Sequence, residues 1–302
     1  MSFFKNFVSS IGKVAKSFSN TVYDDTAVRN RSKNIIGFYG AAENSGTTTL
    51  VANIAEYLSG SRSPTVIVDF NLDAPSGYRY IVDEEVPENK SLVNKFKNPS
   101  LSPSEIVVGD VNKLGIVSMT GYEHPADYCS VSLSVIDDLL RVLSTHYKYV
   151  LVDLGTSLNS NPTIQGILTC DKVYSIVRPV TAQISKLLAT KEHIENLGHL
   201  NKIKDVIQTL CLNDEYSFKD FEETGLNLIG NVALDFDLKV AADNCKIVTQ
   251  IGKSKAASNY LKLVKSMGED IKKMVEQSAS PTINDVLVGG DRTVMESEGE
   301  IK

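Results

Sequence analysis

The chain has 302 residues, 42% hydrophobic and 23% charged, the balance of a globular protein able to bury a substantial core. Its formal net charge of −6 argues against a broad DNA-coating surface, so nucleic acid is not an expected partner. No apolar segment reaches membrane-spanning length, the start lacks a continuous signal-peptide h-region, and the four cysteines form no CxxC pair, so the expected location is the cytoplasm.

Residues 1–20, "MSFFKNFVSSIGKVAKSFSN", have a helical period. At 100° per residue, Phe3, Phe4, Phe7, Val8, Ile11, Val14, Ala15 and Phe18 fall within an arc of about 140°. Lys5, Lys13 and Lys16 fall opposite, and no acid occurs before Asp24. Aromatics on one face and lysines on the other suit a helix lying in an anionic membrane interface. Each lysine near anionic lipid adds about 1 kcal/mol. The same face would also serve to dock a partner protein or the chain's own core. Residues 21–33 are a polar, basic connector that suits a detachable arm.

Residues 34–274 alternate strand-like and helix-like patterns. The strand candidates are "NIIGFYG", "PTVIVDFNL", "LGIVSM", "KYVLVDLGTS", "KVYSIVRPV", "VIQTLCLND" and "NLIGNVALD". The helical ones are "TTTLVANIAEYL", "SVIDDLLRVLSTHY", "AQISKLLATKEHIENL" and "SKAASNYLKLVKSMGEDIKKMV". Several strands are apolar at nearly every position, which predicts that both faces are covered. The expected class is α/β, a doubly wound and mainly parallel sheet flanked by helices. Residues 275–302, rich in Ser, Gly and acids, read as a disordered acidic tail.

In such sheets ligands gather at the carboxyl ends of the strands. Those ends carry the Gly40–Thr49 loop, Asp69, Asp153 and Asn213. "IIGFYGAAENSGTTTLVANIAEYL" is an apolar run, then a Gly/Ala/Asn/Ser loop opening into a helix at three threonines. That is the layout of a phosphate-binding loop, yet the loop contains no lysine. Removing a lysine about 4 Å from a phosphate forfeits roughly 4 kcal/mol at an effective dielectric of 20. Half of that weakens binding by about tenfold to a hundredfold, and hydrolysis loses more because charge stabilisation supplies most of its catalysis. The alternative is a strand-to-helix turn kept for folding, with Thr47–Thr49 as cap and first turn.

Four segments carry a resemblance to the ParA/MinD P-loop ATPases: "AAENSGTTTLVANIAEYL", "TVIVDFNLDAPSG", "YKYVLVDLGTSLNS", and "GNVALDFDLKVAADNCKIVTQ" followed by "SKAASNYLKLVKSM". It covers residues 34–274 and looks closest to the CpaE/TadZ-type branch associated with pilus and secretion-machine assembly. The family's loop has the form K-G-G-V-G-K-T-T. Aligned on it, Ala42 and Thr47 replace the two lysines, Glu43 and Asn44 replace two glycines, and Ser45, Gly46, Thr48 and Thr49 complete the loop. The resemblance implies Thr48, Asp69 and Asp153 as the magnesium site, with Asn71 replacing the second acid of the D-x-D pattern. Asn213 falls near the adenine-contacting asparagine.

The implied ligands are ATP or ADP with magnesium, or none if the lysine-free site is empty. The implied partners are a homodimer mate and proteins of a membrane machine. Three functions follow. The first is a scaffold, peripheral on the inner face of the membrane, that positions a pilus, secretion or conjugation apparatus without efficient hydrolysis. The second is an active ATPase of the partitioning or site-selection type, which needs a basic residue from elsewhere. The third is a soluble adaptor acting through its terminal segments.

Overall fold

The computed structural model describes residues 33–60, 63–72, 75–82, 84–128, 131–158, 160–211, 224–233, 235–248 and 254–279. The amphipathic arm 1–20, Asn213 and the tail beyond Ala279 lie outside the described residues.

The elements run β1 (Ile35–Gly40), α1 (Thr47–Ser59), β2 (Thr65–Asp69), α2 (Leu92–Lys97), α3 (Pro103–Ile106), β3 (Val108–Asp110) and β4 (Leu114–Val117). They continue with α4 (Leu133–His146), β5 (Tyr149–Asp153), α5 (Asn161–Thr169), β6 (Lys172–Val177), α6 (Thr181–Asn196), β7 (Asp205–Cys211), β8 (Asn227–Ala233), α7 (Phe236–Asp243) and α8 (Lys255–Ala279). A 3-10 turn, Gly77–Tyr80, follows β2.

One eight-stranded sheet has the order β3-β4-β2-β5-β1-β6-β7-β8. All pairings are parallel except that of β3 with β4. Alternation along β1 shows why its strands read as unbroken apolar runs. Ile35 and Tyr39 join the core under α4, α5 and α6, while Ile36 and Phe38 join the core under α1, α7 and α8. Each residue of β1 is therefore buried on one face or the other. The α/β, doubly wound expectation matches this architecture.

Two differences have local causes. β3 is short and mostly exposed, so it carries no apolar run; it pairs with β4 across a turn in which Asp110 Oδ1 accepts from the Asn112 N–H at 2.9 Å. The closing helix passes the expected boundary at Met274 and runs to Ala279, because its apolar stripe continues through Val264, Met267 and Ile271 to a buried Val275. Where α8 crosses α1, Gly268 leaves room for the Tyr57 ring: a Cβ there would stand 2.3 Å from Tyr57 Cδ1.

Candidate functional site

β2 and β5 are neighbours, and their register sets Asp69 directly beside Asp153. β5 also pairs with β1, whose end feeds the loop into α1. The topology thus brings the loop and both acids to one end of the sheet.

The two acids are 0% and 1% exposed. Asp69 Oδ1 accepts from the Asn71 N–H at 3.0 Å. Its Oδ2 accepts from the Gly77 N–H and the Ser118 hydroxyl, each at 3.1 Å. Asp153 Oδ1 accepts from the Gly155 N–H at 3.1 Å, and its Oδ2 from the Thr48 hydroxyl at 2.6 Å. Burial, and then the neighbouring Asp153 charge, push the Asp69 carboxyl up to about 7. Burial also raises Asp153, against the opposing hydrogen bonds from Thr48 and Gly155. Among the described residues no Lys or Arg forms an ion pair with either carboxylate. Two buried carboxylates without a cation are a costly arrangement, and the hard oxygen donors of Thr48, Asp69 and Asp153 fit magnesium.

The loop turns sharply between β1 and α1. Asn44 and Gly46 have positive φ, 56° and 87°, which turns successive N–H groups toward one side. The first helical bond of α1 joins the Leu50 N–H to the Gly46 carbonyl at 3.0 Å, and among the described residues the N–H groups of residues 42–49 meet no acceptor. These donors and the helix dipole attract phosphate. Gly40 is required at the loop entrance, since a Cβ would stand 2.7 Å from Thr47 Oγ1 and 2.8 Å from Ser45 Oγ.

Individual loop residues differ from the sequence expectation. The helix cap is Gly46, with no side-chain cap, so the threonines do not cap α1. Thr47 is buried and its hydroxyl shares a 2.9 Å hydrogen bond with Ser45 Oγ. Thr49 Oγ1 meets the Tyr80 hydroxyl at 2.8 Å. Ala42 is half-buried. Glu43 is exposed and within electrostatic reach of Lys186, whose ammonium is held below its ordinary range by burial, with Glu43 opposing.

Three groups that the sequence does not single out complete the surroundings. The Thr209 hydroxyl donates to the Ser45 carbonyl at 2.7 Å. Arg178 Nη2 donates to the Asn44 carbonyl at 2.6 Å. Lys186 Nζ donates to the Thr156 carbonyl at 2.8 Å. Arg178 follows the last residue of β6, and Lys186 lies in the second turn of α6. The only sequence signal for them was a basic residue before the proline at the end of an apolar run, and nothing in that signal tells that β6 lies beside β1.

A parallel doubly wound sheet, a glycine loop opening into a helix from the central strand, and a hydroxyl of that helix bonded to the acid of the next strand define a P-loop NTPase fold. Among solved structures the fold is that of the ParA/MinD ATPases. A ParA-family ATPase from Chlorobium tepidum superposes with a TM-score of 0.66 at 16% identity, over 77% of this chain and 99% of that one. The septum site-determining protein MinD of Pyrococcus horikoshii, complexed with Mg-ADP, gives 0.66 at 14% identity, over 80% and 98%. A Cyanothece McdA complex with ATP gives 0.63 at 18% identity, over 82% and 97%. No protein-family model matches the chain, and no curated protein matches its sequence. No helix among the described residues is long and apolar enough to cross a membrane.

Proposed function

We propose that this chain is a MinD/ParA-like protein that positions or assembles a larger machine at a membrane, with a central site that binds magnesium-nucleotide and hydrolyses it poorly. The observation that carries the nucleotide half is the Thr48–Asp153 hydrogen bond beside the uncompensated Asp69–Asp153 pair. A fold that had discarded its ligand gains nothing by burying two adjacent carboxylates. Magnesium would neutralise them and bind phosphate oxygens; Thr48, Asp69 and Asp153 would hold it, and the N–H groups of residues 42–49 would hold the phosphates. Slow hydrolysis follows from the loop, where residues 41–49 contain no lysine and transition-state charge lacks its usual support.

The positioning half rests on residues 1–20, whose Phe3, Phe4, Phe7, Val8, Ile11, Val14 and Phe18 face opposes Lys5, Lys13 and Lys16. The sequence likeness to the CpaE/TadZ branch makes a pilus, secretion or conjugation apparatus the proposed machine, with a homodimer as the proposed assembly. Co-sedimentation of the full chain with anionic vesicles tests this half. Binding is expected, and Phe7→Glu with Ile11→Glu abolishes it; undiminished binding by the double variant overturns the membrane role.

An ATPase that cycles between nucleotide states is the second reading. Arg178 and Lys186 favour it, because both bring positive charge to the loops around the site. Magnesium-dependent turnover that Asp153→Ala removes would establish this reading over the first.

A further inference from the structure

Arg178 stands at the end of β6, between buried Val177 and Pro179. β1 and β6 pair through Gly40 and Ile176, and the Ala41 N–H donates to the Ile176 carbonyl at 2.8 Å. That pairing carries residue 178 to the flank of the phosphate loop. The Arg178 N–H donates to Gln183 Oε1 at 2.9 Å, which fixes the base of its side chain. At the other end, Nη2 reaches the Asn44 carbonyl, 134 residues away in sequence.

The guanidinium is poorly matched by its own protein. It has five N–H donors and a permanent charge. Among the described residues its head group meets one neutral carbonyl, forms no ion pair, and keeps an Nε that is sealed from solvent without an acceptor. A buried donor without an acceptor is costly, and the rest of the guanidinium, which is not sealed in this way, bonds strongly to anions. It stands beside a loop whose own N–H groups are also unmatched.

We propose that Arg178 supplies the positive charge for nucleotide phosphates at this loop, in the place of the lysines that residues 41–49 lack. The inference rests on the nucleotide reading above and deepens it: the charge enters from the β6–α6 segment, across the strand pairing, and not along the loop. A planar fork suits this role, because one N–H can keep the Asn44 carbonyl while others remain for phosphate oxygens.

The test is titration of the full chain with fluorescent ATP, ADP and AMP, in the parent protein and in two variants. Arg178→Gln keeps a polar side chain and removes the charge; Arg178→Lys keeps the charge and alters the fork. Thermal unfolding verifies that each variant folds. Arg178→Gln is expected to weaken ATP binding by about tenfold to a hundredfold, ADP less and AMP by about threefold or less, with Arg178→Lys recovering part of the ATP loss. A loss equal for all three nucleotides, or no loss, shows that Arg178 merely clamps the loop and overturns the proposal. A parent protein that binds none of the three removes the nucleotide reading itself, a distinct result that takes the proposal with it.

Discussion

The acids at the ends of β2 and β5 and the loop between β1 and α1 meet at the same end of the sheet, yet each draws on different parts of the chain. In the acid half each carboxylate ends an apolar strand, and its partners are N–H groups and hydroxyls close by in the sheet, the 3-10 turn and α1. The loop half carries no cation of its own. Its backbone is held by Thr209 and Arg178, from β7 and the end of β6. The contrast teaches that a loop without a lysine can still receive a cation from another strand of the fold, here Arg178 at the Asn44 carbonyl. It also leaves the acid half under electrostatic stress that a metal ion would relieve.

The largest expected effect breaks the acid half. The Asp69 carboxyl is raised from its ordinary 3.8 to about 7, so the folded chain holds a proton that the unfolded chain has released. This carboxyl's contribution to stability is then full below about pH 4 and falls as the pH rises toward about 7, at up to about 1.4 kcal/mol for each unit. Urea unfolding without divalent cations should show that slope in the parent protein and a flatter one in Asp69→Asn. Equal slopes would show that the pair carries no stress.

A smaller effect is expected at the link between the halves. Thr48→Val removes the 2.6 Å hydrogen bond to Asp153 and should cost about 1.5 kcal/mol, the low end for a bond to a charged group at a half-buried site. Denaturant titration measures it, and an unchanged midpoint would mean that the hydroxyl is idle in the free protein. The smallest effect sharpens the loop half. Glu43 is exposed, so Glu43→Gln should strengthen ATP binding only about two- to fivefold, as expected for a screened surface charge. A tenfold or larger gain would place its carboxylate among the phosphate donors.

Much of this was legible in the sequence. Seven of the strands were visible as apolar runs, most plainly β1, β2, β4 and β5, whose burial on both faces leaves no alternation to misread, and Asp69 and Asp153 were visible as the ends of two such runs. β3 was hidden because an exposed edge strand of three residues has no apolar signal. In the alternative reading Thr47–Thr49 were the cap and first turn; they do form the first turn, while Gly46, with a left-handed φ of 87°, takes the cap position. Arg178, Lys186 and Thr209 were invisible as site residues for another reason. Their contacts depend on the strand order β5-β1-β6-β7, a long-range fact that no local pattern encodes. The Asn213 assignment and the amphipathic arm stand as sequence readings, outside the described residues.

Calorimetric titration of the full chain with ATP, in magnesium and in a chelator, decides whether the acids and the loop form one nucleotide site. Saturable binding at one site that magnesium strengthens is expected, with negligible turnover over the titration and loss of the magnesium effect in Asp153→Ala. Absence of binding under both conditions, or binding indifferent to magnesium and to Asp153, would contradict that expectation.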